Sequence, residues 1–258
     1  MTSTERVLAI RDLSVNFGGL KALSNVNIDL HKGEVLGLIG PNGAGKTTVF
    51  NALSGLVTPA SGSLELYGRK AKWPKPFQLV DRGISRTLQG VGLFPDLTVS
   101  ENVMLGASKY AKAGFVQSAL GLGGRDEEAL KSKSQSTLER LYVGGVAERK
   151  AETLSYPDTK RVSIARALVS EPRILLLDEP AGGLGSQDIE WLNGLIRHLR
   201  SNTSIIIVEH HMDVVMNVCD RIYVLNFGEI IASGNPETVK NDKNVIEAYL
   251  GTQSKARK

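Results

Sequence analysis

Residues 40–47 read GPNGAGKT and directly follow the dense apolar run EVLGLI. The stretch fits the pattern G-x-x-x-x-G-K-[ST] at every defined position, and this pattern is typical of a loop that wraps phosphate groups. Glycine lets the backbone approach closely, so successive N–H groups point at phosphate oxygens. The following segment, TVFNALSGL, predicts a helix whose N-terminal amides and positive dipole end face the same anion. The stretch therefore predicts a buried strand, a phosphate-binding loop and a helix.

Two side chains of this loop are expected to bind different parts of the ligand. We expect the Lys46 ammonium to reach the β- and γ-phosphates and the Thr47 hydroxyl to bind Mg²⁺. The predicted ligand is therefore a nucleoside triphosphate with its magnesium ion. The nucleotide-binding residues predicted from the loop are Gly40, Pro41, Asn42, Gly43, Ala44, Gly45, Lys46, Thr47 and Thr48.

Composition excludes several other classes of protein. A net charge of +4 over 258 residues, with KARK at the C-terminus as the basic cluster, does not favour nucleic-acid binding. Cys219 is the single cysteine, so no intrachain disulfide is possible and a reducing compartment is favoured. No apolar run approaches the roughly 18 residues that span a bilayer, and the N-terminus lacks a signal-peptide pattern. We therefore expect a cytoplasmic chain that another subunit holds at any membrane where it works.

Patterning along the chain predicts a mixed α/β core. VLAIRDLSVNF and NVNIDLHKGE alternate apolar and polar residues, which favours antiparallel strands near the N-terminus. RILLLDEP and TSIIIVEH read as buried strands on either side of a helix, and RIYVLNFGEIIASG reads as a hairpin. Residues 107–152 predict a mostly helical insert that contains the loop ALGLGG. The fold class is therefore α/β, with a mixed core sheet, an antiparallel β part and a helical insert.

A second candidate site ends the strand RILLLDEP. Asp178 is placed to hold the Mg²⁺ shell, and Glu179 is placed to polarise the attacking water as a general base. An Asp-Glu pair alone is often only a solvated turn. Because the phosphate loop is also present, we interpret the pair as part of one site.

Three further stretches indicate which class of nucleotidase this is. The chain lacks an N-K-x-D sequence, which argues against a GTPase. GISRTLQ, LSYPDTKR and SIIIVEHH occur in the order and spacing of the ATP-binding cassette of ABC transporters, which the chain resembles over essentially its whole length. The resemblance implies a single P-loop cassette domain, residues 1–258. About residues 90–165 would hold the glutamine loop, helical insert and signature, and about 235–258 the C-terminal tail.

The resemblance also implies roles for individual residues. Gln89 matches the family's glutamine, which touches Mg²⁺ or water, and His210 matches the switch histidine that donates to the γ-phosphate. Phe17 lies where the family stacks an aromatic ring on adenine, although a strand phenylalanine is more often core. The implied cofactors are ATP and Mg²⁺. The implied catalytic residues are Glu179, His210, Gln89 and Lys46, and the implied metal site is Thr47, Gln89 and Asp178.

The branch of the family is indicated by RTLQGVGLFPDLTVSENVMLG, the long insert and the ending VIEAYLG. These resemble the ATP-binding subunits of branched-chain amino-acid importers, and related branches move urea, amides or small carboxylates. The resemblance implies membrane-spanning permease subunits as partners, a solute-binding protein as an indirect partner, and a peripheral position on the cytoplasmic face of the inner membrane.

The signature stretch departs from the family pattern, which is usually LSGGQ and in this branch often LSYGQ. In the family this helix start reaches across a dimer to the γ-phosphate in the other subunit. Here it reads Ser155, Tyr156, Pro157 and Asp158, and proline has no N–H to offer. The helix should still form, because proline is tolerated in a first turn. Gly185 also stands where the family places Asp or Asn. We therefore hypothesise an asymmetric heterodimer with a second ATP-binding subunit.

Two alternatives stay open at this point. One is a nucleotide-binding protein with little turnover, used as a sensor or structural partner, which the altered signature favours. The other is a soluble ABC ATPase of DNA repair or translation, although those usually carry a coiled coil or a second cassette that 258 residues do not accommodate.

Overall fold

A computed structural model describes residues 5–88, 90–107, 110 and 124–255. The chain forms two compact units. The first comprises Met1–Leu79 and Leu176–Lys258, and the second comprises Val80–Leu175. The strands in chain order are β1 (Arg6–Phe17), β2 (Leu20–His31), β3 (Val35–Ile39), β4 (Ser61–Leu66), β5 (Arg69–Ala71), β6 (Ile84–Arg86), β7 (Ile174–Asp178), β8 (Ser204–Val208), β9 (Arg221–Asn226) and β10 (Glu229–Gly234).

The helices include the segments predicted as helical, and several others that were not predicted. In chain order they are α1 (Lys46–Leu53), α2 (Val99–Gly106), α3 (Gly124–Arg140), α4 (Tyr156–Leu168), α5 (Ser186–Leu199), α6 (Met212–Val218), α7 (Pro236–Lys240) and α8 (Lys243–Lys255). The predicted insert helix corresponds to α3. Of the predicted loop ALGLGG, residues 119–123 lie outside the described residues.

An antiparallel sheet in the first unit has the order β2-β1-β4-β5. β1 and β2 pair with Ile10 opposite Ile28 and Leu13 opposite Val26, and all four side chains are buried. Along β2, buried and more exposed residues alternate from Val26 to Leu30, as the sequence pattern predicted, whereas residues 7–10 of β1 are all buried. The antiparallel N-terminal part of the predicted fold is confirmed.

The second sheet of this unit runs β10-β9-β3-β8-β7, with β7 starting in the other unit. Every residue of β3 and β8 is buried, and β3 runs parallel to both β8 and β9. Parallel strands end at the same edge of a sheet, where ligands of open α/β sheets bind. The segments that follow β3 and β8 therefore belong to one edge, and the predicted α/β class is confirmed.

In the second unit, α2 packs closely on α4. A Cβ at Gly106 of α2 would collide with the carbonyl oxygen of Arg166 in α4, so only glycine permits this approach. α2 begins with a capping box, in which the Thr98 hydroxyl accepts the Glu101 N–H at 3.1 Å and the Glu101 carboxylate accepts the Thr98 N–H at 2.7 Å. Beside these helices, the Gly83 carbonyl accepts N–H groups from Arg173 and Ile174, which places β6 next to the start of β7.

Candidate functional site

The phosphate loop has a backbone that requires its glycines. Gly40, Gly43 and Gly45 have φ of 150°, 79° and 106°, values that other residues rarely adopt. A Cβ at Gly40 would collide with the carbonyl oxygen of Leu225, and one at Gly45 would lie 2.9 Å from the carbonyl oxygen of Ala22. The loop is therefore pressed against its neighbours, and side chains at positions 40 and 45 would displace it.

The turn between β9 and β10 anchors this loop. The Gly228 N–H donates to the Ala44 carbonyl at 2.9 Å, and the Gly228 carbonyl accepts the Ser24 N–H at 2.9 Å. Gly228 has φ of 80°, and a Cβ there would lie 2.5 Å from the Ala22 carbonyl oxygen. One glycine thus ties the phosphate loop to β2, which holds the loop in shape independently of any ligand.

Lys46 opens α1 and is buried within the loop. Its ammonium donates to the carbonyl oxygens of Gly40 at 2.7 Å and Pro41 at 2.9 Å. Burial lowers the pKa of the Lys46 ammonium, while the carboxylates of Glu179 and Asp178 act in the opposite direction. The structure thus brings the predicted lysine and the predicted acids into one electrostatic environment.

The paired acids differ in exposure and backbone. Asp178 ends β7 and is only 3% exposed, whereas Glu179 follows it with φ of 46°, in the left-handed region. Non-glycine residues in this region cost free energy and occur often at functional sites. The Glu179 N–H donates to the Val208 carbonyl at the end of β8, at 2.9 Å. This bond sets the turn after β7 beside the turn after β8.

His210 lies next to the acids, as the sequence predicted. Its Nδ1 is 3.8 Å from Oε1 of Glu179, and its side chain is 53% exposed. The His211 ring lies beside it, with ring centroids 4.5 Å apart. A carboxylate and an imidazole at this separation are able to bind one water molecule between them.

Glu209 is a member of this site that sequence reasoning missed. It is fully buried, and its carboxylate accepts N–H groups from Ala181, His210 and His211 at 2.7, 2.9 and 3.1 Å. A signal existed in the sequence, because a glutamate directly after the apolar strand SIIIV has to be either exposed or fully hydrogen-bonded.

Phe17 ends β1 and is 49% exposed, so it is not a core residue. It pairs with Leu20 beside the turn that closes the β1–β2 hairpin, within the same unit as the phosphate loop. An exposed aromatic face at this position is free to stack on a flat ring. The structure thus favours the predicted role over the alternative of a buried strand residue.

The second unit carries the remaining predicted residues. Gln89 lies outside the described residues. The segment directly after it is held by Arg166 of α4, whose guanidinium donates to the carbonyl oxygens of Gly92 at 2.7 Å and Val91 at 3.2 Å. Burial lowers the pKa of this guanidinium. Arg166 was not predicted, and it links the helix that follows the signature to the segment that follows the glutamine.

The signature stretch forms the start of α4 in the predicted way. Ser155 is the N-cap and Pro157 lies in the first turn, where a missing N–H costs no intrahelical bond. The Ser155 hydroxyl donates to the Asp158 carboxylate at 2.8 Å, and the Asp158 N–H donates back to the hydroxyl at 3.3 Å. The Asp158 carboxylate therefore lies at the helix N-terminus and accepts the hydrogen bond of the Ser155 hydroxyl. The Arg161 guanidinium lies 3.6 Å from this carboxylate.

The donor set fits a magnesium–triphosphate ligand. The glycines leave the loop free of side chains that would fill the cradle, and Gly43 has no atom within 4 Å of an added Cβ. Thr47 is exposed and Asp178 faces the charge of Lys46. Among the described residues no group of three or more His, Cys, Asp or Glu could hold a metal ion. Mg²⁺ would thus take its other ligands from phosphate and water, as it usually does.

A cavity of about 610 Å³ borders the outer part of the phosphate loop. It is lined by Asn42 and Gly43 of the loop, by Phe227 of the β9–β10 turn, and by Asn244 and Glu247 of α8. Burial raises the pKa of the Tyr249 phenol in α8. The C-terminal helix and the loop therefore line the same cavity.

Within the described ranges, no helix is long and apolar enough to cross a membrane.

Strand order, phosphate loop and adjoining acids together define an α/β P-loop ATPase. A family model described as "ABC transporter" matches residues 23–182, more than half of the sequence, and the chain belongs to this family of transport ATPases. A second model, described as "Branched-chain amino acid ATP-binding cassette transporter", matches residues 229–254. That range includes Asn244 and Glu247, which line the cavity beside the loop.

Curated relatives and solved structures agree with this assignment. The chain is 41% identical over 252 residues to the high-affinity branched-chain amino acid transport ATP-binding protein LivG of Salmonella typhimurium, covering 96% of this chain and 99% of the relative. It is 37% identical to BraF of Pseudomonas aeruginosa, covering 95% of this chain and 98% of the relative.

A crystal structure of a nucleotide-free ATP-binding cassette from an ABC transporter matches with a TM-score of 0.84 at 30% identity, covering 95% of this chain and 98% of that chain. An ADP-bound cassette matches with a TM-score of 0.83 at 31% identity, covering 96% and 100%.

Proposed function

We propose that this protein binds and hydrolyses Mg-ATP as a subunit of an importer of branched-chain amino acids. The observation that carries the proposal is the cluster of Lys46, Asp178, Glu179 and His210 in one unit, with His210 3.8 Å from Glu179. The solute class rests on the relatives named above, which are branched-chain amino acid transport proteins. The proposed cassette is a single domain over residues 1–258, including the C-terminal segment from about residue 235.

In this proposal each residue has a separate task. Backbone amides of the phosphate loop and the Lys46 ammonium bind the phosphates, while Thr47 and Asp178 would hold the magnesium ion. When bound, the ion neutralises charge on the β- and γ-phosphates. Glu179 takes a proton from the attacking water, and His210 orients that water and donates to the γ-phosphate. Proton transfer therefore takes place between the turns after β7 and β8.

The proposed partners are permease subunits in the membrane, contacted by the Gln89 segment and the helical insert, and indirectly a solute-binding protein. Leu88, Phe94 and Leu105 of the second unit are large apolar side chains that are about half exposed. Exposed apolar side chains close together in sequence often mark protein–protein contacts. The chain is accordingly proposed to be peripheral, on the cytoplasmic face of the inner membrane.

Reconstitution tests the proposed function as a whole. The chain is assembled with its permease subunits and second ATP-binding subunit in liposomes, and ATP-dependent uptake of labelled leucine is measured with the solute-binding protein present. We expect uptake that requires ATP and is competed by isoleucine and valine. Robust ATP hydrolysis with no uptake of any of these three amino acids would reject the solute class, although not the ATPase.

We further propose that the chain works as one half of an asymmetric heterodimer. Pro157 offers no N–H, and the Ser155 hydroxyl is already bound to the Asp158 carboxylate. This helix start therefore presents negative charge where a partner's γ-phosphate would approach. Gly185 precedes α5 with no side chain to join the two sites. In a heterodimer, the ATP site of this chain would be completed by the normal signature of the second subunit. In a homodimer, both ATP sites would face the altered signature.

Repairing the signature tests this asymmetry. In the mixed complex, Pro157→Gly combined with Asp158→Gln is expected to raise ATP turnover about ten- to hundredfold at the partner's site, because a hydrogen bond to a charged group contributes about 1.5–3 kcal/mol. Turnover is measured with Glu179→Gln present, so that hydrolysis at this chain's own site does not contribute. The matched control is Pro236→Gly with Glu237→Gln, which changes the same residue types at the start of α7. Equal turnover with and without the repair, or robust turnover by the unrepaired homodimer, would reject the asymmetric arrangement.

Adenine stacking on Phe17 gives a second prediction. Phe17→Ala is expected to weaken ATP binding about two- to tenfold, since an aromatic stacking pair contributes about 0.5–1.5 kcal/mol. Binding of inorganic tripolyphosphate should not change, and neither should the melting temperature, because Phe17 is half exposed. Phe77→Ala, at another exposed phenylalanine of the first unit, is the control. An equal loss for ATP and tripolyphosphate would show that Phe17 acts on the fold rather than on the base.

A low-turnover regulatory or structural role is the second candidate function. The bond between Ser155 and Asp158 favours it, because the anion-binding positions of α4 are occupied from within the chain. Slow hydrolysis in the reconstituted complex, with Mg-ATP binding intact and no change after the signature repair, would favour this candidate.

A further inference from the structure

Glu209 is a buried carboxylate with an unusual set of partners. Its side chain has 0% exposure, and it lies between the last residue of β8 and the histidine proposed to act on ATP. Burying a carboxylate costs several kcal/mol unless hydrogen bonds compensate. The contacts that compensate here are three backbone N–H groups, from Ala181, His210 and His211.

The two oxygens of this carboxylate serve different segments. Oε1 accepts the N–H of Ala181, two residues after Glu179, at 2.7 Å. Oε2 accepts the N–H groups of His210 and His211, at 2.9 and 3.1 Å, and lies 4.0 Å from Nδ1 of His210. One side chain thus joins the segment that carries the proposed base to the segment that carries the proposed histidine.

A backbone bond joins the same two segments at a second point. The Glu179 N–H donates to the Val208 carbonyl at 2.9 Å. A single hydrogen bond allows two turns to rotate about it, whereas two bonds at different points restrict that rotation. The Glu179 backbone is moreover held at φ of 46°, which persists only where its surroundings enforce it.

We propose that Glu209 is a positioning residue for ATP hydrolysis, whose carboxylate ties the Ala181, His210 and His211 amides and so holds Glu179 and His210 at their working separation. Glu209 does not touch the reacting atoms. It acts through the two residues that do, and the inference rests on the roles proposed for them above.

Glu209→Gln is the informative variant, because the amide has the same shape but only one acceptor oxygen. We expect kcat to fall about ten- to a hundredfold with KM for ATP within about twofold, since small misplacements of reacting groups cost rates of this order. A double-mutant cycle with His210→Ala separates positioning from general stability: in the His210→Ala background, Glu209→Gln should lower kcat by no more than about twofold.

Two further measurements do not depend on turnover. Amide hydrogen exchange should quicken about tenfold or more in Glu209→Gln, either at Ala181 or at His210 and His211, because glutamine keeps one acceptor oxygen and loses the other. Glu34→Gln is the matched control, since Glu34 is also a buried carboxylate of the first unit, bonded to Arg221 and the His31 N–H. We expect it to lower the melting temperature while leaving kcat unchanged. If Glu209→Gln does not fold, Glu209→Asp is used in the same cycle. Aspartate keeps the negative charge, but its side chain is one methylene shorter, so the carboxylate lies farther from the three amides.

The outcomes are distinguishable. An unchanged kcat in the Glu209 variant, or the same fold-loss in the wild-type and His210→Ala backgrounds, would overturn the positioning role while leaving the ATPase intact. No turnover by wild type in the assembled complex would instead reject the proposed function, and the role of Glu209 with it.

Discussion

Glu179→Gln is expected to lower ATP turnover about 10²–10⁴-fold while Mg-ATP binding persists, because this is the usual contribution of a general base. Glutamine keeps the size and shape of the side chain but does not accept a proton at neutral pH. The left-handed backbone at position 179 and its bond to the Val208 carbonyl do not involve the carboxylate, so the turn should be preserved. The loss is therefore expected in kcat rather than in the affinity for ATP.

The measurement pairs phosphate release with equilibrium dialysis of Mg-ATP in the same assembled complex. Glu190→Gln is the matched control, since Glu190 is an exposed carboxylate on the neighbouring helix α5. Its turnover should equal that of wild type. A decrease of less than about tenfold for Glu179→Gln would mean that another group accepts the proton of the attacking water.

Lys46→Ala should remove most of the binding of Mg-ATP. The ammonium lies inside the loop and donates to two of its carbonyl oxygens, so it is positioned without help from the nucleotide. Each hydrogen bond from a charged donor to phosphate contributes about 1.5–3 kcal/mol, and losing two corresponds to a Kd at least about a hundredfold higher. The variant also removes the bonds to Gly40 and Pro41, so its melting temperature must be recorded beside its Kd.

Equilibrium dialysis at millimolar Mg-ATP decides this prediction. Lys32→Ala is the control, because Lys32 is exposed and lies 3.3 Å from Glu5, as an ordinary surface ion pair. Its affinity for ATP should not change. Occupancy of folded Lys46→Ala equal to that of wild type would show that the loop does not bind the triphosphate, and the proposed function would fall with it.

The predictions that concerned single short segments agree with the structure. Three features were predicted from residues that are neighbours in the sequence. They are the glycine loop, the two buried strands that end in acids and a histidine, and the hairpin with its turn at Asn226–Gly228. The bond between Ser155 and Asp158 was also within reach, because a serine followed three residues later by an acid marks a helix start.

The sequence by itself determined the chemistry of each segment, from the loop around Lys46 to the strand that ends at Asp178 and Glu179. Periodicity and residue type act over a few positions, so they are readable without coordinates. Only the tertiary structure decided that Glu209 accepts the amide of Ala181 and that the Leu225 carbonyl excludes a side chain at Gly40. Those partners lie far apart along the chain, and hydrogen bonds and close packing between distant segments leave no local spacing to read.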